Sequence, residues 1–183
     1  MSRQYFEDLI IDPPTANITV TTSTAETGMW NVAQFSPIHA YDSYKGVGKV
    51  YRLMAGGIFT TSSVAPTLIL TPRVGTTTGG VTLGVSVTQT LPASLTNEAW
   101  FLHSVWVVRT LGAPGANSTV IGTGIWNGGG AAATAASNAT IAFGGTSATC
   151  DLSIETGIFL GATWSTTATS AMTVHWITMQ SLN

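Results

Sequence analysis

Hydrophobic and polar residues alternate with a period of two along most of the chain after residue 46, which is the pattern of β-strands. These runs are rich in Val, Ile, Thr, Phe and Trp, and they are flanked by Gly, Pro, Ser or Asn, which are typical of turns. A run of alanines at residues 131–136 follows three glycines and lacks a polar face, so it predicts a loop and not a helix. The predicted strands cover residues 18–22, 49–61, 67–73, 81–87, 99–110, 118–126, 139–143, 148–154, 157–165 and 173–180.

Several of the predicted strands are apolar on both faces. In residues 99–110, one face begins with Trp100 and Leu102, and the opposite face is too apolar to lie fully in water. In residues 173–180, the alternation places Trp176 on one face and His175 on the other, together with Ile177 and Met179. Only one face of a strand can meet the core of a sandwich, so the other face is predicted to meet a neighbouring subunit. The predicted interface residues are Phe101, Val105, Val107, Ile177 and Met179.

Short strands without helices predict an all-β domain, and a length of 183 residues is that of a single domain. We expect a jelly-roll β-sandwich of about eight strands over residues 46–183, with an immunoglobulin-like sandwich as the alternative. Residues 1–45 contain fewer strand signals and are expected to form an extended N-terminal arm, although residues 3–11 could also form a short helix. The arm begins with side chains too apolar for a solvated tail, so they are expected to dock on a partner: Tyr5, Phe6, Leu9, Ile10 and Ile11.

Charge is scarce in this sequence. Charged residues make up 8% of the chain, against roughly 25% in an ordinary domain. Six Lys and Arg residues cannot build a patch that follows nucleic-acid phosphates or binds a membrane surface, so neither partner is expected. The sequence also lacks the pattern of a secretory signal and any apolar run long enough to span a membrane, which predicts folding in a cytoplasm.

The sequence is poor in residues that could carry chemistry. His39, His103 and His175 do not have the spacing of zinc ligands, and the one cysteine, Cys150, is expected to be a small buried side chain. The acidic pair Asp151 and Glu155 is expected to lie in a turn, although convergence with a histidine would make an active site. No catalytic residue, metal or cofactor is therefore predicted. Among six tryptophans, most are expected in the core or at an interface, and Trp30 and Trp126 are the first candidates for a sugar-stacking platform.

Five segments resemble the strands of the jelly-roll virion proteins of tailed bacteriophages. They keep the same order over roughly residues 46 to 180, and the N-terminal arm has no counterpart. The segments are strand patterns and contain no catalytic signature: residues 48–57, 66–73, 97–102, 107–112 and 160–165.

This resemblance implies a structural role in a virion. Such proteins act as capsid decoration proteins or as tail and appendage parts, often as trimers. The expected partners are therefore copies of the same chain and a phage major capsid protein or another virion protein, and the expected location is the virion. The competing interpretation is a receptor-binding module at a tail tip, whose exposed tryptophans would touch a host glycan.

Overall fold

The computed structural model describes residues 8–9, 18–21, 24–29, 46–75, 80–83, 87–115, 118–128, 139–145, 148–152, 157–165 and 169–182. These residues form thirteen β-strands, and none of them belongs to a helix. The strands are β1 (Asp8–Leu9), β2 (Ile18–Thr21), β3 (Thr27–Gly28), β4 (Val50–Thr60), β5 (Thr67–Gly75), β6 (Val81–Thr82), β7 (Val87–Thr90), β8 (Glu98–Thr110), β9 (Ser118–Gly128), β10 (Ala139–Gly144), β11 (Ala148–Cys150), β12 (Gly157–Trp164) and β13 (Ala171–Ser181).

The strands form two antiparallel sheets. The larger sheet has the order β1-β13-β4-β8-β9-β10, with β2 also paired to β13 and β11 also paired to β9. The smaller sheet has the order β3-β12-β5-β6, with β7 also paired to β5. Buried side chains from both sheets form one core cluster, so the predicted all-β sandwich is confirmed.

The pairing of the long strands is that of a rolled antiparallel ribbon. The first two long strands, β4 and β5, pair with the last two, β13 and β12, and the two pairs lie in different sheets. This connectivity agrees with the predicted jelly roll. The middle of the ribbon departs from it, because β8, β9 and β10 pair in sequence as a meander beside β4.

Most strands begin and end within a few residues of their predicted limits. The exceptions are the predicted strand at 81–87, where β6 covers the first two residues and β7 begins only at residue 87, and the one at 148–154, of which β11 covers only the start. The helix considered for residues 3–11 disagrees with β1, whose two residues pair with β13. The alanine run at 131–136 lies outside the described residues.

Large and small residues face each other in the core of the larger sheet. Trp106 on β8 lies opposite Gly122 on β9, and a Cβ on Gly122 would meet the indole ring of Trp106. In the same way, a Cβ on Gly128 would meet the ring of Trp126, which packs on Phe59 with 5.7 Å between ring centroids. The glycines that weaken β-propensity in β9 therefore make room for tryptophans in the core.

The described part of the N-terminal segment belongs to the sandwich itself. Strand β2 pairs with β13 in the larger sheet, and β3 pairs with β12 in the smaller sheet. Val20 and Met29 are fully buried in the shared core, and the Met29 amide donates to the Leu160 carbonyl with an N···O distance of 2.9 Å. Within the predicted arm of residues 1–45, residues 18–21 and 24–29 thus belong to the sandwich, and the strand predicted at 18–22 is observed as β2.

One ion pair joins the N-terminal segment to the smaller sheet. Arg73 on β5 donates from Nε and Nη2 to the two carboxylate oxygens of Glu26, both at 2.6 Å, and from Nη1 to Gly80 and Thr82. The hydrogen bond to Glu26 raises the pKa of Arg73. A Cβ on Gly161 would overlap the Glu26 side chain, so this glycine creates the space that the carboxylate occupies.

Tyr51 on β4 predicts how the fold responds to alkaline pH. Burial raises the pKa of its phenol above the ordinary value of 10.0, because the charged phenolate loses solvation. Because the pKa is raised in the folded state, the stabilising contribution of the neutral Tyr51 phenol is fully present below pH 10.0. It is lost as the pH rises above this value, since the unfolded chain then releases the proton while the folded chain keeps it. Above that pH, we expect the free energy of unfolding of the wild type to fall by about 1.4 kcal/mol per pH unit more than that of Tyr51→Phe. Urea unfolding of both proteins from pH 8 to 11 checks this, and parallel curves would contradict it.

Candidate assembly interface

The sides of the sandwich are occupied by the chain itself. On one side, β10 of the larger sheet packs against β7 and β5 of the smaller sheet. On the other side, the chain passes from β2 in the larger sheet to β3 in the smaller one. Because exposed strand edges are the usual sites of sheet extension, this arrangement favours the faces of the sandwich over its edges as contact surfaces.

The outward-pointing side chains of β13, β4, β8 and β9 form a broad surface, here called the outer face. Its rows follow from the strand register: Met54 lies opposite Thr178 on one side and His103 on the other, and His103 lies opposite Ile125. The neighbouring row contains Arg52, Val105 and Thr123 in the same way. The larger apolar side chains that point outward here are Val50, Met54, Ile58, Phe101, Val105, Val107, Ile121, Ile125 and Trp176.

A β-bulge determines which residues of β13 reach the outer face. The register with β4 shifts between Val174 and Trp176, so the alternation changes sides at His175. Val174 points into the core before the bulge, both His175 and Trp176 are exposed, and Ile177 returns to the core. The bulge thus turns Trp176 outward. Without it, the alternation would place Trp176 on the same side as Val174, in the core.

This bulge corrects two of the predicted interface residues. Ile177 and Met179 are each 1% exposed and belong to the core, so they cannot contact another subunit. Phe101, Val105 and Val107 lie on the outer face, as the alternation along β8 predicts. Among the arm residues, Leu9 is in β1 opposite Gln180, whereas Tyr5, Phe6, Ile10 and Ile11 lie outside the described residues.

Three exposed apolar side chains follow one another across the strands of the outer face and are here called the outer ridge: Trp176, Phe101 and Ile125. The indole of Trp176 lies over Gly56, where a Cβ would be within 2.8 Å of Nε1, Cε2 and Cζ2. Because Gly56 has no side chain, the indole extends over it to Phe101 on the next strand, with 6.0 Å between ring centroids and 41° between ring planes. Ile125 is the diagonal neighbour of Phe101 on the adjacent strand, a spacing of about 7–8 Å that large side chains bridge.

The ridge is exposed to an unusual degree for large apolar residues in one sheet. Trp176 is 38% exposed, Phe101 is 40% exposed and Ile125 is 42% exposed. The sequence did not identify Trp176 or Ile125 as interface residues. The alternation of β9, with Trp126 pointing inward, could have identified Ile125, whereas no local pattern marks the bulge that exposes Trp176.

The outer face carries little charge. Its cations are Arg52, whose Nε donates to Gln180 Oε1 at 2.9 Å, and Arg109 near the end of β8. The four strands that form the face contain one carboxylate, Glu98, which lies at the start of β8 opposite the inward-pointing Phe59. The face can therefore be buried without placing an unpaired carboxylate in an apolar contact.

The residues considered for catalysis do not form a cluster in the described structure. Asp151 Oδ2 accepts a hydrogen bond from the Gly115 amide at 3.0 Å, as expected for a turn residue. His103 is on β8 and His175 is at the bulge of β13, while His39 and Glu155 lie outside the described residues. Where the structure describes the chain, no group of three His, Cys, Asp or Glu residues could hold a metal ion.

The remaining candidates are placed as follows. Trp126 is fully buried, so it is not the exposed sugar-stacking residue that was considered, and Trp30 lies outside the described residues. Cys150 is a buried free cysteine, as predicted. A search of the described ranges finds no helix with the length and apolar character needed to cross a membrane.

Comparisons with known proteins give little further information. No family model matches the chain, and no curated protein matches it. One solved structure that it matches is a virus-like particle of the extra small virus of the giant freshwater prawn, Macrobrachium rosenbergii. That match has 10% sequence identity and a TM-score of 0.27, and it covers 98% of this chain and 81% of the other. A TM-score of 0.27 is too low to establish a shared fold, so the fold assignment depends on the strand pairing described above.

Proposed function

We propose that this chain is a non-enzymatic structural protein of a virion, which works by self-association through the outer face of its larger sheet. The observation that carries the proposal is the outer ridge, Trp176, Phe101 and Ile125, on a face that also presents apolar side chains such as Val105 and Val107. Monomeric proteins rarely expose a contiguous apolar patch of this kind without a partner for it. Burial of such a surface is favourable by about 25 cal/mol per Å² of apolar area.

The low charge of the whole chain supports the same interpretation. Charged residues make up 8% of the sequence, so solubility as a monomer would depend on threonine, serine and asparagine. A closed oligomer removes the apolar face from water and leaves no adhesive surface for further growth. A trimer is the arrangement implied by the resemblance of the five strand segments to jelly-roll virion proteins of tailed phages.

The proposed place of this oligomer is the outside of a phage shell. A decoration protein that binds only the assembled shell stabilises that state by mass action. The expected partner is the major capsid protein, and the contact is proposed to involve the apolar start of the chain, which includes Tyr5 and Phe6.

Co-sedimentation with purified expanded shells of the parent phage tests this placement. The full-length chain is expected to pellet with the shells and to raise their melting temperature. If it stays in the supernatant at micromolar concentration while remaining oligomeric, the decoration role is wrong and a tail location replaces it.

A charge placed on the outer face is expected to break the oligomer. Val107 points outward between Val50 and Ile121, so Val107→Glu would bury a carboxylate at the interface without entering the core. We expect the apparent mass to fall to that of a single chain, because burying an unpaired charge costs several kcal/mol. Size-exclusion chromatography with light scattering measures the mass.

Val64→Glu is the matched control for this variant. Val64 is 63% exposed in the turn between β4 and β5, away from the outer face, so its substitution should leave the oligomer unchanged. Equal masses for the two variants would contradict the assignment of the outer face as the interface.

One observation favours a second function, the binding of a carbohydrate. Trp176 presents an exposed indole beside Phe101, and His175 and Asn127 nearby offer polar groups. Aromatic rings with polar neighbours are suited to stack on sugar rings and orient them. A glycan array probed with the full-length chain tests this function, which requires binding that Trp176→Ala abolishes. An oligomer that buries Trp176 would leave the array without signal.

A further inference from the structure

The outer ridge has two unlike ends. At one end, Trp176 and Phe101 form a large aromatic pair, and at the other end Ile125 stands alone on β9. When two copies of such a ridge meet with like ends together, two aromatic pairs face each other at one end and two isoleucines leave a gap at the other. When unlike ends meet, the large indole of each copy faces the smaller isoleucine of the other, as in well-packed cores, and the two phenylalanines lie between these contacts.

From this geometry, and relying on the self-association proposed above, we infer that Trp176 of one copy packs against Ile125 of a second copy. A second copy fits this surface because the outer face is nearly neutral. Its cations lie away from the ridge: Arg52 is two rows from Trp176 along β4 and hydrogen-bonded to Gln180, and Arg109 is eight residues from Phe101 along β8. Two outer faces can therefore approach without like charges meeting at the ridge.

The size of the outer face is sufficient for such a contact. Four neighbouring strands spaced about 4.8 Å apart are roughly 14 Å wide. A length of about eight residues along each strand is roughly 27 Å. With the side chains at its margins, this face approaches the area that one partner contributes to a small specific interface, about 500 Å². Trp176 of each copy then meets Ile125 of the other, so the contact is two-fold symmetric and joins copies in pairs.

Charge complementation tests the pairing directly. In Trp176→Glu and in Ile125→Lys, one charged side chain faces an apolar partner, and we expect the self-dissociation constant to rise by about thirtyfold or more, the loss typical of an anchor residue. In the double variant Trp176→Glu/Ile125→Lys, the two introduced charges face each other between copies. We expect it to recover most of the affinity that either single variant loses.

The alternative arrangement gives the opposite result. If like ends meet, the double variant places two carboxylates together and two ammonium groups together, so its dissociation constant should exceed those of both single variants. That outcome overturns the inference, and so does an unchanged constant in the single variants. Within one copy, three strand spacings and two residues separate the positions by roughly 16 Å, too far for an internal ion pair to interfere.

Two further measurements keep the test decisive. Melting temperatures of all variants, compared with the wild type, show whether each one folds, and the reversed pair Trp176→Lys/Ile125→Glu replaces the first pair if it does not. Analytical ultracentrifugation of the wild type separates the two proposals. A wild-type monomer overturns the self-association itself, whereas a wild-type oligomer with no rescue in either double variant overturns only the pairing of Trp176 with Ile125.

Discussion

Deleting residues 1–45 is expected to unfold the protein and not merely to release a flexible arm. The deletion removes β2 and β3, which pair with β13 and β12, together with the fully buried side chains of Val20 and Met29. Each buried aliphatic side chain is worth about 2–5 kcal/mol, while a whole domain is stable by only about 5–15 kcal/mol. The deletion also leaves Arg73 without Glu26, its bidentate partner.

Far-UV circular dichroism and thermal unfolding measure the effect of this deletion. The truncated chain is expected to lack a cooperative melting transition. Its control is a deletion of residues 1–7, which ends before β1 and leaves every described strand in place. A truncation at residue 45 that melts cooperatively near the wild-type temperature would show that the N-terminal strands are dispensable for the sandwich.

The second large effect is expected for Gly57→Ala, next to the β-bulge. Gly57 lies opposite Val174, and a Cβ at this position would overlap the Thr173 carbonyl oxygen, a backbone atom that cannot turn aside. Overpacking costs typically about 1–3 kcal/mol and more where backbone must move, so we expect a loss of about 3 kcal/mol or more. Since the bulge exposes Trp176, the same substitution should also weaken self-association.

Chemical denaturation measures the free energy of unfolding of this variant. Gly46→Ala is the matched control, because a Cβ on Gly46 would meet no atom within 4 Å. We expect the control to unfold within a few tenths of a kcal/mol of the wild type. A Gly57→Ala protein as stable as this control would contradict the close approach of β4 and β13 at the bulge.

The sequence predicts the fold well because burial in a sandwich follows the local alternation. The face of β12 that contains Leu160 and Trp164 is buried, as its period of two indicates. The same reasoning placed Phe101, Val105 and Val107 on the outside of β8. For these strands the pattern of side chains alone determines which face meets the core.

The candidate interface could be predicted only in part, because a bulge is a property of two paired strands. Nothing in residues 171–181 distinguishes the extra residue at His175 from ordinary alternation, so Ile177 and Met179 were assigned to the wrong face. The position of the bulge depends on how β13 fits against β4, including the space above Gly56 that the Trp176 indole fills. Such fits between strands distant in the chain are not encoded in a local pattern.

The strand at 18–22 was predicted, but the contribution of residues 24–29 to the core was missed for a related reason. Pro13, Pro14 and Pro37 lie on either side of residues 18–29, of which only 18–22 carry a strand signal. Their pairing with β13 and β12 depends on strands from the end of the chain, and so does the space at Gly161 for Glu26. The assignment of a segment to the core thus required its distant partners.

The mass of the full-length wild-type protein in solution tests the central claim most directly. Sedimentation equilibrium over a range from about one to one hundred micromolar, which brackets the affinities of ordinary stable interfaces, gives this mass without a label. Self-association through the outer face predicts a multiple of 19.0 kDa, namely two chains for the two-fold pairing of the ridges and three for the trimer that the resemblance implies. A mass of 19.0 kDa at every concentration would contradict the account, because the outer ridge would then remain exposed to water.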